Sequence, residues 1–145
     1  MTDDTMECIR FRLEREQYAH TVLAIREIMP YEPPTPVPGA PVSVEGILNV
    51  RGEVVTVVSG RVLLGLNTNV PMGDSWRIII LEISGGWLGV SVDSVEDIVR
   101  FHSNEIELSS QGRETPFIKG TVQLGAELLI VTDLLDLEAL AGTEA

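Results

Sequence analysis

Apolar and polar residues alternate along much of this chain with a period of two, the spacing of a strand with one buried face. Ile9, Phe11 and Leu13 alternate with Arg10, Arg12 and Glu14, and "REQ" at 15–17 supplies a turn into "YAHTVL", which predicts an opening hairpin. "WRIIILEI" and "WLGVSV" flank Ser84, Gly85 and Gly86, whose glycines suit the positive φ of a tight turn, so a second hairpin is expected there. "VEDIVRF" reads as a further strand after a bend at Asp93 and Ser94, and "IKGTVQLGAELLIV" as a final pair turning at Gly125. "GILNVRGEVVTVV", residues 46–58, is two apolar segments around Arg51 and Gly52, which places the arginine at a hairpin tip.

Two segments break the alternation. "MPYEPPTPVPGAP", residues 29–41, holds six of the eight prolines, lacks ladder donors and predicts an extended crossover. A proline-rich ligand for another protein's aromatic groove is the competing reading, weakened by the absence of flanking basic residues. "TDLLDLEALAG" predicts a short C-terminal helix, capped by Thr132 or Asp133, with Leu134, Leu137 and Leu140 on one face and Gly142 at its end. The fold class is mainly β.

Composition narrows the function. The 145 residues, 44% apolar, suit one domain spanning 1–145. Ten basic against 22 acidic side chains give a net charge of −12, which repels phosphate backbones and anionic lipid. With two tryptophans, two tyrosines and three phenylalanines as its aromatics, the chain also offers few stacking platforms, which argues against a nucleic-acid-binding β-barrel. Cys8 is the single cysteine, residues 1–15 lack the apolar stretch of a secretory signal, and no apolar run is long enough to span a bilayer, so a reducing cytoplasm is expected.

Catalytic chemistry finds little support. The phosphate loop, the nucleophile elbow and the paired-histidine zinc motif are all absent, and "GGWLG" at 85–89 has no helix after it to make a dinucleotide site. His20 and His102 lack ligands at metal spacing, and Asp93, Glu96 and Asp97 read as a solvated acidic face rather than a cation loop. Trp76 and Trp87 are expected in the core or at its rim. No catalytic residue, metal ligand or cofactor is assigned, and a small enzyme of unknown chemistry is the rival class.

The run "VPGAPVSVEGILNVRGEVVTVV" resembles the CheW-like domain of bacterial chemosensory proteins, whose signature is a proline-containing loop, a glycine, and an Asn-x-Arg-Gly turn between two apolar strands. "YAHTVLAIREI", "LGVSVDSVEDIVRF" and "IKGTVQLGAELLIVTDLLDL" follow in the family's order, so the resemblance covers about residues 7–138. It implies two SH3-like five-stranded β-barrel subdomains around a shared core. It also implies a stand-alone, non-enzymatic adaptor, since 145 residues leave no room for kinase or receiver domains. The implied partners are the cytoplasmic tip of a chemoreceptor and the regulatory domain of the histidine kinase CheA. The adaptor would lie in arrays at the inner face of the membrane without touching it, serving a flagellar or another chemosensory output.

Carried onto this sequence, the resemblance marks Arg51, Asn49 and Gly52 of the turn, Ile25 and Glu27 of "AIREI", and Gly46, Gly89 and Gly120 as partner-contact positions. Structural alternatives stand beside each: Arg51 as a turn residue pairing with Glu53, Ile25 as core, the glycines as sites of close backbone approach. The chain departs from the family at Thr56, Val57, Val58, Ser59 and Gly60, where a proline, two aliphatics, an aspartate and a leucine are usual. That departure is expected to weaken the strand end after the turn.

Overall fold

In the computed structural model, residues 4–108 and 117–134 are described, and they form eleven strands in two sheets. One sheet has the order β8-β1-β2-β11-β10-β9, built from β1 (Thr5–Leu13), β2 (Glu16–Thr21), β8 (Ser94–His102), β9 (Glu107–Leu108), β10 (Ile118–Leu124) and β11 (Glu127–Thr132). The other has the order β3-β6-β7-β5-β4, built from β3 (Ile25–Pro30), β4 (Val44–Val50), β5 (Glu53–Ser59), β6 (Arg77–Ile83) and β7 (Gly86–Val92). The first sheet thus has one strand beyond the expected five, the two-residue edge β9. The predicted C-terminal helix falls on residues 135 onward, outside the described residues.

Both faces of each sheet are buried. Ile79 and Leu81 of β6 join Phe11, Leu13, Tyr18, Val90 and Phe117 in a core shared between the sheets, while Ile78 and Ile80 turn the other way onto Val50, Val55 and Val57. This is why "IIIL", residues 78–81, is continuously apolar where a one-sided strand would alternate. On the first sheet, Cys8, Ala19, Phe101, Val122, Leu129 and Val131 form the equivalent inner cluster. Burial there pushes the Cys8 thiol up to about 11, leaving it protonated and inert.

The proline segment shows how the second sheet curls. Leaving β3 at one edge, the chain exchanges two hydrogen bonds of 2.9 Å between Thr35 and Ile47 of β4, the opposite edge. The stretch from Pro30 to Thr35 reaches at most roughly 17 Å, whereas the edges of a flat five-stranded sheet lie roughly 19 Å apart. The sheet must therefore wrap around its inner cluster. Gly46 is the contact point: it has φ 153°, and a Cβ there would overlap the Thr35 carbonyl.

The opening hairpin turns at Glu14 and Arg15 rather than at 15–17. Glu14 takes φ 57°, and its amide donates to Asp93 Oδ2 at 2.8 Å, so a tertiary contact supports a conformation usually left to glycine. The strand end after the turn keeps its pairing despite the departures. β5 stays in parallel register with β7 through Ser59 opposite Ser91, and Ser59 Oγ accepts from Val62 N at 3.2 Å to cap the short helix α1 (Gly60–Leu63). Serine caps as well as aspartate does. Gly60 leaves room for the Ser91 carbonyl, which a Cβ would overlap.

Candidate functional site

The signature turn closes β4 and β5 with two residues, both at positive φ: Arg51 at 52° and Gly52 at 85°. Positive φ at both central residues is the mark of a type I′ turn, whose twist matches that of the flanking strands. Asn49 Oδ1 accepts from Gly52 N at 3.0 Å, so the asparagine of the motif pins the turn while the glycine permits it. Arg51 has no such conformational freedom, and its side chain projects outward with 74% of it exposed.

Its partner is Glu27, not Glu53: Arg51 Nε donates to Glu27 Oε1 at 2.8 Å, and this contact raises the guanidinium pKa further above its usual range. A β-bulge at Arg26 delivers that carboxylate. Register shifts between Ile25, opposite Leu81, and Glu27, opposite Ile80. The shift lets Ile25 and Ile28 both pack on the shared core, while Met29 packs on the inner cluster. The bulged Arg26 is left outside, 4.8 Å above the Trp87 ring and 3.6 Å from Glu82. Because β3 and β4 are opposite edges, the curl of the sheet is what brings Glu27 to the hairpin tip.

The predicted site residues therefore divide. Arg51, Gly52, Asn49 and Glu27 meet at one surface, with Ile25 partly buried behind it. Gly46, Gly89 and Gly120 are buried and face the protein's own atoms: Thr35 at Gly46, Ile78 Cγ2 at 2.9 Å from a Cβ on Gly89, and the Glu107 carbonyl at Gly120. Their role is close packing. Val54, 67% exposed and cross-strand from Asn49, adds an apolar contact beside the tip, as does the Arg26–Trp87 stack. Val54 occupies an alternating position in a strand, so its exposure carries no sequence signal.

The acidic residues read as a solvated face are instead engaged by arginines. Asp97 takes two hydrogen bonds from Arg10, at 2.7 and 2.9 Å, Glu96 pairs with Arg12, and Asp93 binds Arg61 through both oxygens. Trp76 and Trp87 lie at the rim, half-buried. His20 is fully buried with its pKa lowered by burial, and His102 is exposed. Among the described residues no helix is long and apolar enough to cross a membrane.

Comparison with known proteins fits this geometry. Residues 7–144 match the CheW-like domain. The chain is 28% identical over 137 residues to the chemotaxis protein CheW of Rhizobium meliloti (strain 1021), covering 92% of this chain and 88% of that protein. It is 26% identical over 140 residues to the chemotaxis protein CheW of Treponema pallidum (strain Nichols), covering 92% and 82%. The crystal structure of the scaffolding protein TtCheW from Thermoanaerobacter tengcongensis superposes with a TM-score of 0.80 at 27% identity, covering 89% of this chain and 84% of that one. The double-sided sheets, the Asn49–Gly52 turn and a match across nearly the whole sequence agree: this chain belongs to the CheW-like domain family.

Proposed function

We propose that this protein is a non-enzymatic adaptor of a bacterial chemosensory array, joining the cytoplasmic tip of a chemoreceptor to the regulatory domain of the histidine kinase. It works by binding geometry, with no bond made or broken, in the cytoplasm at the inner face of the membrane. The observation that carries the surface assignment is Arg51. Its hydrogen bond to Glu27 uses Nε, and among the described residues both Nη groups remain free at an exposed tip. A guanidinium with its outer donors free suits two-point recognition of a carboxylate or of carbonyl oxygens on a partner. Val54 and the Arg26–Trp87 stack extend that contact with apolar area.

Calorimetric titration with a receptor tip fragment and with the kinase regulatory domain tests this reading. Arg51→Ala is expected to weaken at least one of the two by about tenfold or more, the loss for a hydrogen bond to a charged group. Its melting temperature should stay close to that of the wild type. Arg51→Lys recovers only part of the affinity, because an ammonium does not reproduce the planar fork. Wild-type affinity of Arg51→Ala for both partners would show that the arginine is an ordinary solvated turn residue.

A further inference from the structure

The far end of the β4–β5 hairpin opens into a cleft of about 520 Å³ that the adaptor surface does not use. Glu45 stands six residues from Arg51 along extended backbone, roughly 20 Å away. Its side chain is aimed by a β-bulge, since Val44 lies opposite Val58 and Gly46 opposite Val57, which leaves Glu45 as the extra residue. Tyr31 Oη donates to Glu45 Oε1 at 2.5 Å and Ser91 Oγ donates to Glu45 Oε2 at 2.5 Å. Both donors are neutral: burial, together with the carboxylate beside it, holds the Tyr31 phenol protonated well above its usual range.

Among the described residues no cation balances that carboxylate. Arg61 lines the same cleft, yet its guanidinium is committed to Asp93, to Glu14 and to the Asn67 carbonyl, with its carbon 6.0 Å over the Trp76 ring. Among the described residues Glu45 has no ion pair. Beside it, Tyr31 and Trp76 meet edge to face, with ring centroids 5.4 Å apart and planes at 88°, so two aromatic walls form a corner. Val42 and Met72, 86% and 56% exposed, extend the apolar lining outward.

A carboxylate whose oxygens accept only from neutral hydroxyls, set beside a perpendicular aromatic pair in an apolar cleft, selects a particular chemistry. An anion is repelled. A hard metal ion lacks ligands, since no group of three ligating side chains exists among the described residues. An ammonium carried on a hydrocarbon stem answers these features together, through its charge against Glu45, its alkyl groups in the Tyr31–Trp76 corner on the side away from Arg61, and its stem along Val42 and Met72. We propose that this cleft binds a small organic cation of the alkylammonium class, at a site separate from the Arg51 surface and independent of the adaptor reading.

The test is NMR titration of the ¹⁵N-labelled full chain with n-butylammonium and tetramethylammonium chloride, against sodium chloride, n-butanol and sodium butyrate. Trp87→Phe assigns the two indole signals. The expected result is a saturable shift of the Trp76 indole and the Ser91 amide with the ammonium ions, none with butyrate, and at least about tenfold weaker binding of butanol, the equivalent of one charge contact. Glu45→Gln, which keeps the shape and an acceptor for Tyr31, should lose about tenfold in ammonium affinity. Should that variant not fold, Trp76→Leu removes one aromatic wall, keeps the carboxylate, and should lower tetramethylammonium affinity more than butylammonium affinity. Equal binding of butanol and butylammonium, unchanged affinity in Glu45→Gln, or no saturable shift with any ammonium ion overturns the proposal.

Discussion

Arg51 and Arg61 both pair with carboxylates, and in each case the carboxylate hydrogen bond raises the guanidinium pKa. Their surroundings are opposite. Arg61 is 7% exposed and holds three segments together: Nε and Nη2 reach Asp93 at the β7–β8 bend, at 3.0 and 2.5 Å, while Nη1 reaches Glu14 in the first hairpin at 3.1 Å and the Asn67 carbonyl at 2.7 Å. Among the described residues Arg51 makes one hydrogen bond, from the first position of a two-residue turn, with 74% of its side chain in solvent. An arginine whose donors are spent on its own chain is a structural cross-link. One whose outer donors face water is available to another molecule, and its ion pair contributes little to stability.

The largest effect should come from breaking the cross-link. Arg61→Ala leaves Asp93, only 18% exposed, without its counter-charge, and is expected to cost about 3 kcal/mol in urea unfolding. That is the lower end for a buried pair, because Glu14 keeps access to water. A midpoint equal to the wild type's would show that Asp93 is solvated well enough to stand alone and would erase the contrast between the two arginines.

The turn supplies the next test. Gly52→Val forces a β-branched residue into φ 85° and should cost about 1–2 kcal/mol, with a loss of partner binding that follows the displaced tip. Arg51→Asn acts in the other direction. Asn-Gly is the preferred pair for a type I′ turn, so the variant should melt slightly higher than the wild type while binding partners more weakly. A residue kept for the turn alone would not behave this way. If Arg51→Asn gained stability and also kept full affinity, the guanidinium would have no role in contact.

Legibility in the sequence follows the range of the interactions. β1 and the β6–β7 and β10–β11 hairpins could be read because alternation and turn glycines are local, and Gly85 and Gly125 do take positive φ, at 92° and 61°. The family resemblance supplied what local pattern does not encode, the division into two sheets. The parallel pairs β2–β11 and β5–β7 join strands far apart in sequence and leave no trace in periodicity. The site was legible at Asn49, Arg51 and Gly52, which sit within one turn. The Glu27 contact crosses 24 positions and depends on the curl of the sheet, so Glu53 was as good a partner on local grounds. Arg61 is harder still. In "SGRVLLG" it is a lone cation within an apolar run, and only the tertiary positions of Glu14 and Asp93 show that its charge is buried and matched.

The finest distinction is whether Arg51 serves a partner or only Glu27, and charge exchange separates the two. Arg51→Glu alone sets two carboxylates against each other at the tip and should lower the melting temperature slightly, because Glu27 is only 28% exposed. Combining it with Glu27→Arg restores an opposite-charge pair across the same 2.8 Å contact, so the double variant should recover most of the wild-type melting temperature. Binding should not recover with it. In the double variant the tip presents a carboxylate where the proposed contact needs free Nη donors, and the relocated guanidinium sits on β3, a half-buried position that cannot aim the same fork outward. Calorimetry on the single and double variants, with the receptor tip and the kinase domain in turn, reads both quantities. If affinity returned together with stability, the ion pair itself would be what matters, a brace that keeps the tip in shape, and Arg51 would belong with Arg61 as a structural residue.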